Sequence, residues 1–296
     1  MKIHEKDFNS EGWDEFTHSS SPSSLSNEQV FKNFQLFRSQ FRNLPKKELI
    51  ERGWLESADD AHLVARLFFA LNGDQNNALF RKSASANESL VAMWLSLVRA
   101  NAEYICIAQH VPQFQSITKH DLKSIARLSV DVDTIKELPA RLAKHGIILV
   151  YLRGLAGMKL DGAVIRLSSG HMVIGMSFRF SRLDYFWFTL MHELAHLVLH
   201  GNVLDQPVMI NIEEDTGYIN EKAANKLAKE SFVDKISWRN CEPKYQSGND
   251  AVRKYARQEG VHPSIVAGLL RKELGNYTRY GEIINQYNVR EIIFGQ

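Results

Sequence analysis

Apolar residues recur at helical spacing through the first half of the chain, then change to short unbroken runs. Phe34, Phe37 and Phe41 fall three and four apart, which places them on one face of a helix starting near Asn27. LPKKELIERGWL (44–55) follows, punctuated by Pro45 and Gly53, and further helical stretches run near 59–71, 87–109, 119–128 and 131–145. At Gly146 the texture changes. IILVYL (147–152), GAVIRL (162–167) and HMVIGMSF (171–178) are short, rich in β-branched residues and separated by LDG and SSG turn signals. They read as strands, the last two as a hairpin. Ser181, with Asp184 three residues on, reads as a helix start with a capping box, and that helix runs to a C-terminal cap at Gly201. Three more helices are expected near 220–231, 249–258 and 263–274. Residues 1–26 end in HSSSPSSLSN and carry too little apolar surface to order themselves. The pattern predicts an α+β protein: a flexible tail (1–26), an all-helical domain (27–145), and a domain over 146–296 in which a small antiparallel sheet precedes the Ser181 helix.

That helix carries the chemistry. In FWFTLMHELAHLVLHG (186–201) the strongly polar residues between Phe186 and Leu199 are Thr189, His192, Glu193 and His196. A helix apolar nearly all round is a buried one, and an unpartnered carboxylate buried within it costs several kcal/mol, so something must compensate. HELAH (192–196) is the HExxH pattern. Residues i and i+4 lie one above the other, so both imidazoles can hold one metal ion, with Glu193 beside it to take a proton from a bound water. Zinc lowers the pKa of such a water to about 7. A third ligand must come from elsewhere. Glu221, 25 residues after His196, sits in the first turn of the helix opened by NEKAANKLAKE (220–230), and Glu213, Glu214 and Asp205 are rivals in the intervening loop. An oxyanion donor could be Tyr218, His200 or His171, and none stands out.

Composition narrows the setting. The 296 residues carry a formal net charge of +2 with an isoelectric point near 8.4, too weakly basic to argue for nucleic acid. The two cysteines, Cys106 and Cys241, have no CxxC spacing, which excludes a cysteine-rich zinc site and fits a reducing cytosol. Neither a signal peptide nor a spanning helix is expected, so the protein reads as cytoplasmic. The segment 249–274 resembles a helix-turn-helix around Gly260, but its basic residues (Arg253, Lys254, Arg257, Arg271, Lys272) are scattered, and direct DNA binding is not expected.

RLDYFWFTLMHELAHLVLHG, followed by ExxAN and VHPSIVAGLLRKE (261–273), resembles the ImmA/IrrE family of metallopeptidases over roughly 146–280. LPKKELIERGWL, FRKS (80–83) and WLSLVRANAEY (94–104) resemble the middle region of HigA-type regulators, in which a helix-turn-helix domain precedes an ImmA/IrrE domain. Residues 1–43 are too few and too irregular for such a domain to be expected before Leu44, and Ala223 stands where the family's ExEAN block has a second acidic residue. The resemblance implies a zincin-like domain with zinc on His192, His196 and Glu221, and Glu193 as base. It also implies a protein substrate: a repressor or toxin–antitoxin partner in a stress-response or mobile-element system. The rival from another class is a non-proteolytic regulator whose zinc site is structural or vestigial. An unpaired strand beside the site, for which HMVIGMSF is the candidate, would hold the substrate extended.

Overall fold

The computed structural model describes residues 35, 45–54, 86–200, 208–209, 221–246 and 248–295. The chain divides into two compact units, Met1–Ala84 and Ser85–Gln296. In the first, α1 (Lys46–Glu51) ends where Gly53 turns left-handed, its N–H reaching the Ile50 carbonyl while the Trp54 N–H reaches that of Leu49. This pair of hydrogen bonds closes a helix end on glycine, as Pro45 and Gly53 imply. The expected tail and the helix near 59–71 lie outside the described residues; of the helix expected from about Asn27, Gln35 is described, and it is helical.

The second unit opens with α2 (Ala86–Gln109), α3 (Lys119–Arg127) and α4 (Thr134–Ala143). Thr118 and Asp121 cap α3 reciprocally, and a short 3-10 turn over Leu128–Val130 leads on to α4. Three strands follow, β1 (Ile147–Tyr151), β2 (Gly162–Arg166) and β3 (Met172–Met176), then α5 (Leu183–His200) and the two-residue β4 (Val208–Met209). The chain finishes with α6 (Glu221–Phe232), α7 (Lys235–Arg239), α8 (Asn249–Glu259), α9 (Pro263–Leu274), α10 (Gly281–Ile284) and α11 (Val289–Phe294).

The fold is α+β, but the sheet is mixed rather than antiparallel. Its order is β1-β3-β2-β4, with β1 parallel to β3 and the other pairs antiparallel. The expected hairpin of β2 and β3 forms, and it folds β3 into the centre, antiparallel to β2 and therefore parallel to β1. All five residues of β3 are buried, which suits a strand covered on both faces. HMVIGMSF is thus paired along both edges and cannot accept an added strand.

The two faces have different covers. Met172, Ile174 and Met176 join the core that includes Leu190 and Leu194 of α5. Gly175 faces α2, where an added Cβ would come within 2.7 Å of Trp94 Cη2 and 3.0 Å of Val98 Cγ1. Trp94 is fully buried and its indole N–H donates to the Leu152 carbonyl at 2.8 Å. Leu122, Ile125, Leu138 and Leu142 share the main core with the sheet and α5. Helices 86–145 therefore belong to the same unit as the strands, and the expected boundary at 145/146 falls inside it. A sheet apolar on both faces needs two helical layers.

The start of α5 also differs from the capping box expected at Ser181. Asp184 instead accepts from Arg182, Nε to Oδ1 at 3.0 Å and Nη2 to Oδ2 at 2.5 Å, while the Ser181 carbonyl accepts the Val289 N–H. The 249–274 segment is α8 and α9 around Gly260, but α9 is buried continuously from Ser264 to Arg271, the pattern of a core helix.

His262 caps α9. Its Nδ1 accepts the Ser264 N–H at 3.1 Å, so this nitrogen must be unprotonated, and burial holds the imidazole down at about 4. The fold favours the neutral ring. The resulting stability is fully present above the unfolded value near 6.5 and is lost as pH falls toward 4, up to roughly 3 kcal/mol in all. Asn caps helices as well as any residue without titrating there. His262→Asn should therefore flatten the acid limb of the stability curve by about one proton in urea titrations between pH 8 and 4.5. An unchanged slope would show that His262 does not carry this dependence.

Candidate metal centre

Leu, Ala and Met fill α5 around its polar residues, and twelve of its positions are buried. Its polar stripe meets α6, which packs through Ala224, Leu227, Ala228 and Phe232. Ala224 and Ala228 are small enough to let the helices approach, and Phe232 closes the contact edge-on to Phe188 at 5.3 Å between centroids. This close packing brings Glu221, in the first turn of α6, to the two histidines.

His192 Nε2 lies 3.1 Å from Glu221 Oε2, His196 Nε2 lies 3.5 Å from Glu221 Oε1, and the two Nε2 atoms face each other at 3.0 Å. Four-coordinate ligands about 2.0–2.2 Å from a small divalent ion stand roughly 3.3–3.5 Å apart. The two imidazole nitrogens and the carboxylate oxygens here have close to that spacing, and the group could hold a metal ion. The donor chemistry agrees. His192 Nδ1 donates to Asn225 Oδ1 at 3.1 Å, which leaves the lone pair on Nε2, facing Glu221. Glu221 Oε2 is buried without a well-aligned hydrogen bond despite its closeness to His192, as suits an atom placed for an ion rather than a proton.

Burial by itself would raise the Glu221 carboxyl, yet the imidazoles of His192 and His196 bring it down to about 2. Burial lowers His196, so its ring favours the neutral, ligating form. Glu193 is 1% exposed, its Oε2 has no hydrogen-bond partner among the described residues, and burial, Glu221 and Asp161 push its carboxyl well up. β2 starts against it: a Cβ on Gly162 would come within 2.5 Å of Glu193 Oε1.

A scan against protein-family models finds no match to this chain, and a search of the curated proteins finds none either. The geometry therefore carries the functional reading.

The structure brings His192, His196 and Glu221 together, with Glu193 alongside. His200 stacks on the His196 ring at 5.9 Å and is not one of the grouped donors. His171 sits in the β2–β3 turn, bonded to the Val111 carbonyl at 2.8 Å and Ser169 Oγ at 2.9 Å, which explains its burial structurally. Asp205, Glu213, Glu214 and Tyr218 lie outside the described residues. Among the described residues no helix is long and apolar enough to cross a membrane.

Two residues at the site had no role assigned from sequence. Gly162 reads as part of a turn signal but makes room for the Glu193 carboxylate. Asn225, the last residue of ExxAN, orients His192. Such outer partners tune metal affinity by about 10–100-fold. Asn225→Ala should lower affinity by that factor in a chelator-competition titration, and unchanged affinity would remove Asn225 from the site.

Proposed function

We propose that this chain is a zinc-dependent metallo-endopeptidase of ImmA/IrrE type, acting on a repressor or a toxin–antitoxin partner. The observation that carries the reading is the convergence of His192, His196 and Glu221 with Glu193 buried beside them. Two imidazoles and one carboxylate form a donor set of catalytic zinc sites, which keep a fourth position for water or substrate. Zinc bound there supplies Lewis acidity and makes water acidic enough to ionise near neutral pH. Glu193 makes no ligand contact and takes the proton from the attacking water. Its raised affinity for protons lets it hold that proton and pass it to the leaving nitrogen. The apolar surroundings of α5 keep bulk water from the carboxylate.

The strand beside Glu193 is β2, and a peptide laid along it would bring a backbone carbonyl to the site. Among the described residues, β4 pairs with Ala163 and Val164 of its outer edge. The test is N-terminal profiling of proteins in cells expressing the wild type or Glu193→Gln. New N-termini that appear with the wild type alone support the proposal. Identical profiles, with zinc bound in both proteins, would refute it.

A further inference from the structure

The groups of the candidate centre are shut away from solvent: His192, Glu193 and His196 are all buried, His196 completely. The strand that starts against Glu193 is closed as well. Gly162, Ala163, Val164 and Ile165 are buried, and Val164 has no exposed surface, backbone included. One edge of β2 is taken by β3. On the other edge β4 runs antiparallel, with Met209 opposite Ala163 and Val208 opposite Val164. Ala163 directly follows Gly162, where an added Cβ would come within 2.5 Å of Glu193 Oε1. Paired strands stand about 4.7–4.9 Å apart, so the β4 backbone lies next to the start of β2, on the edge where a peptide would be laid.

Two residues make a short ladder, since strands usually run about 3–10 residues. Among the described residues, Gly162, Ile165 and Arg166 have no partner on that edge. Being part of the chain, β4 holds the edge at a high effective concentration and keeps off weak ligands. An extended peptide paired along all five residues of β2 would form more backbone hydrogen bonds than β4 does and would displace it. We infer that β4 is an intramolecular strap: in the resting chain Val208–Met209 hold the substrate edge of β2, and the centre opens to a polypeptide only when they leave it. The substrate class that follows is an unfolded protein segment long enough to pair along Gly162–Arg166, rather than a very short peptide. The identity of what enters rests on the peptidase reading; the closure by β4 does not.

Two variants of the zinc-loaded full chain move the strap in opposite directions. Val208→Pro/Met209→Pro removes both backbone donors of β4, and proline does not fit a paired position. Val164→Cys/Val208→Cys joins direct register partners, whose Cα separation of about 4.5–5.5 Å suits a disulfide. The readouts are the rate at which the chelator pyridylazoresorcinol strips zinc and the hydrolysis of fluorescein-labelled casein, an unfolded protein. The proline variant should lose zinc roughly tenfold faster than the wild type, the effect of losing one or two backbone hydrogen bonds, and should cut casein faster. The oxidised cysteine pair should be slower than its own reduced form in both readouts, with the wild type under the same oxidant as the control for Cys106 and Cys241. Because oxidised and reduced forms are one protein, that comparison decides even where the proline variant fails to fold. Equal stripping rates in the oxidised and reduced pair would overturn the strap, whatever casein shows, and so would a wild type that holds no zinc. Stripping that shifts as expected, with no casein cut by any form, would support the strap and count against the peptidase reading.

Discussion

Glu193→Gln should keep its metal and its fold while losing about 10²–10⁴ in turnover, the usual cost of removing a general base. The amide has nearly the shape of the carboxylate, so the room left by Gly162 still accommodates it. It cannot accept the proton of an attacking water. Glu193 is absent from the group of converging donors, so metal content should match the wild type. Stability should hold or rise slightly, because a carboxylate buried with an unpartnered oxygen is replaced by a neutral group. Three measurements on one variant suffice: zinc content, urea midpoint and biological complementation. The peptidase reading expects full zinc, an equal or higher midpoint and no complementation. A non-proteolytic regulator with a structural zinc site predicts full complementation, since the surface and the metal are unchanged. Full zinc with full biological activity would therefore refute proteolysis.

The helix of the candidate metal centre was legible because its composition is contradictory without a site: two histidines and a glutamate within an apolar run that the structure buries. Helices α2, α3, α6, α8 and α9 were legible to within a few residues from spacing and punctuation. The order of the strands was not. A strand covered on both faces reads as a continuous apolar run, so MVIGM does not reveal whether it lies at an edge or in the centre. The extent of the unit was hidden for a related reason. The apolar face of α2 shows that the helix covers something, but that Trp94 and Val98 cover Gly175 emerges only in three dimensions. Asp184 was misread because capping chemistry is local, whereas its actual partnership with Arg182 is completed by α9 packing at Gly268. Asn225 stood in the quoted motif, but its role depends on where α6 crosses α5.

Removing the proposed metal ligands should have the largest effect on metal content. Glu221→Gln replaces the charged member of the donor set, which faces both imidazoles at 3.1 and 3.5 Å. Its loss should exceed the roughly 10–100-fold expected for an outer partner such as Asn225. His196→Ala should abolish tight binding, because His196 is fully buried and no other described donor joins the group to replace it. Glu213→Gln and Glu214→Gln should leave affinity nearly intact. The metal-free protein should remain folded, since α5 and α6 are held by Ala224, Phe188 and Phe232 rather than by the ion alone. Zinc content after dialysis, measured alongside circular dichroism, separates loss of metal from loss of fold. If Glu214→Gln alone stripped the metal, the third ligand would be misassigned while the histidine pair survived. Full occupancy in a His192→Ala/His196→Ala double variant would sink the metal centre altogether, because no arrangement of Glu221 and Glu193 by themselves supplies the nitrogen donors the proposal requires.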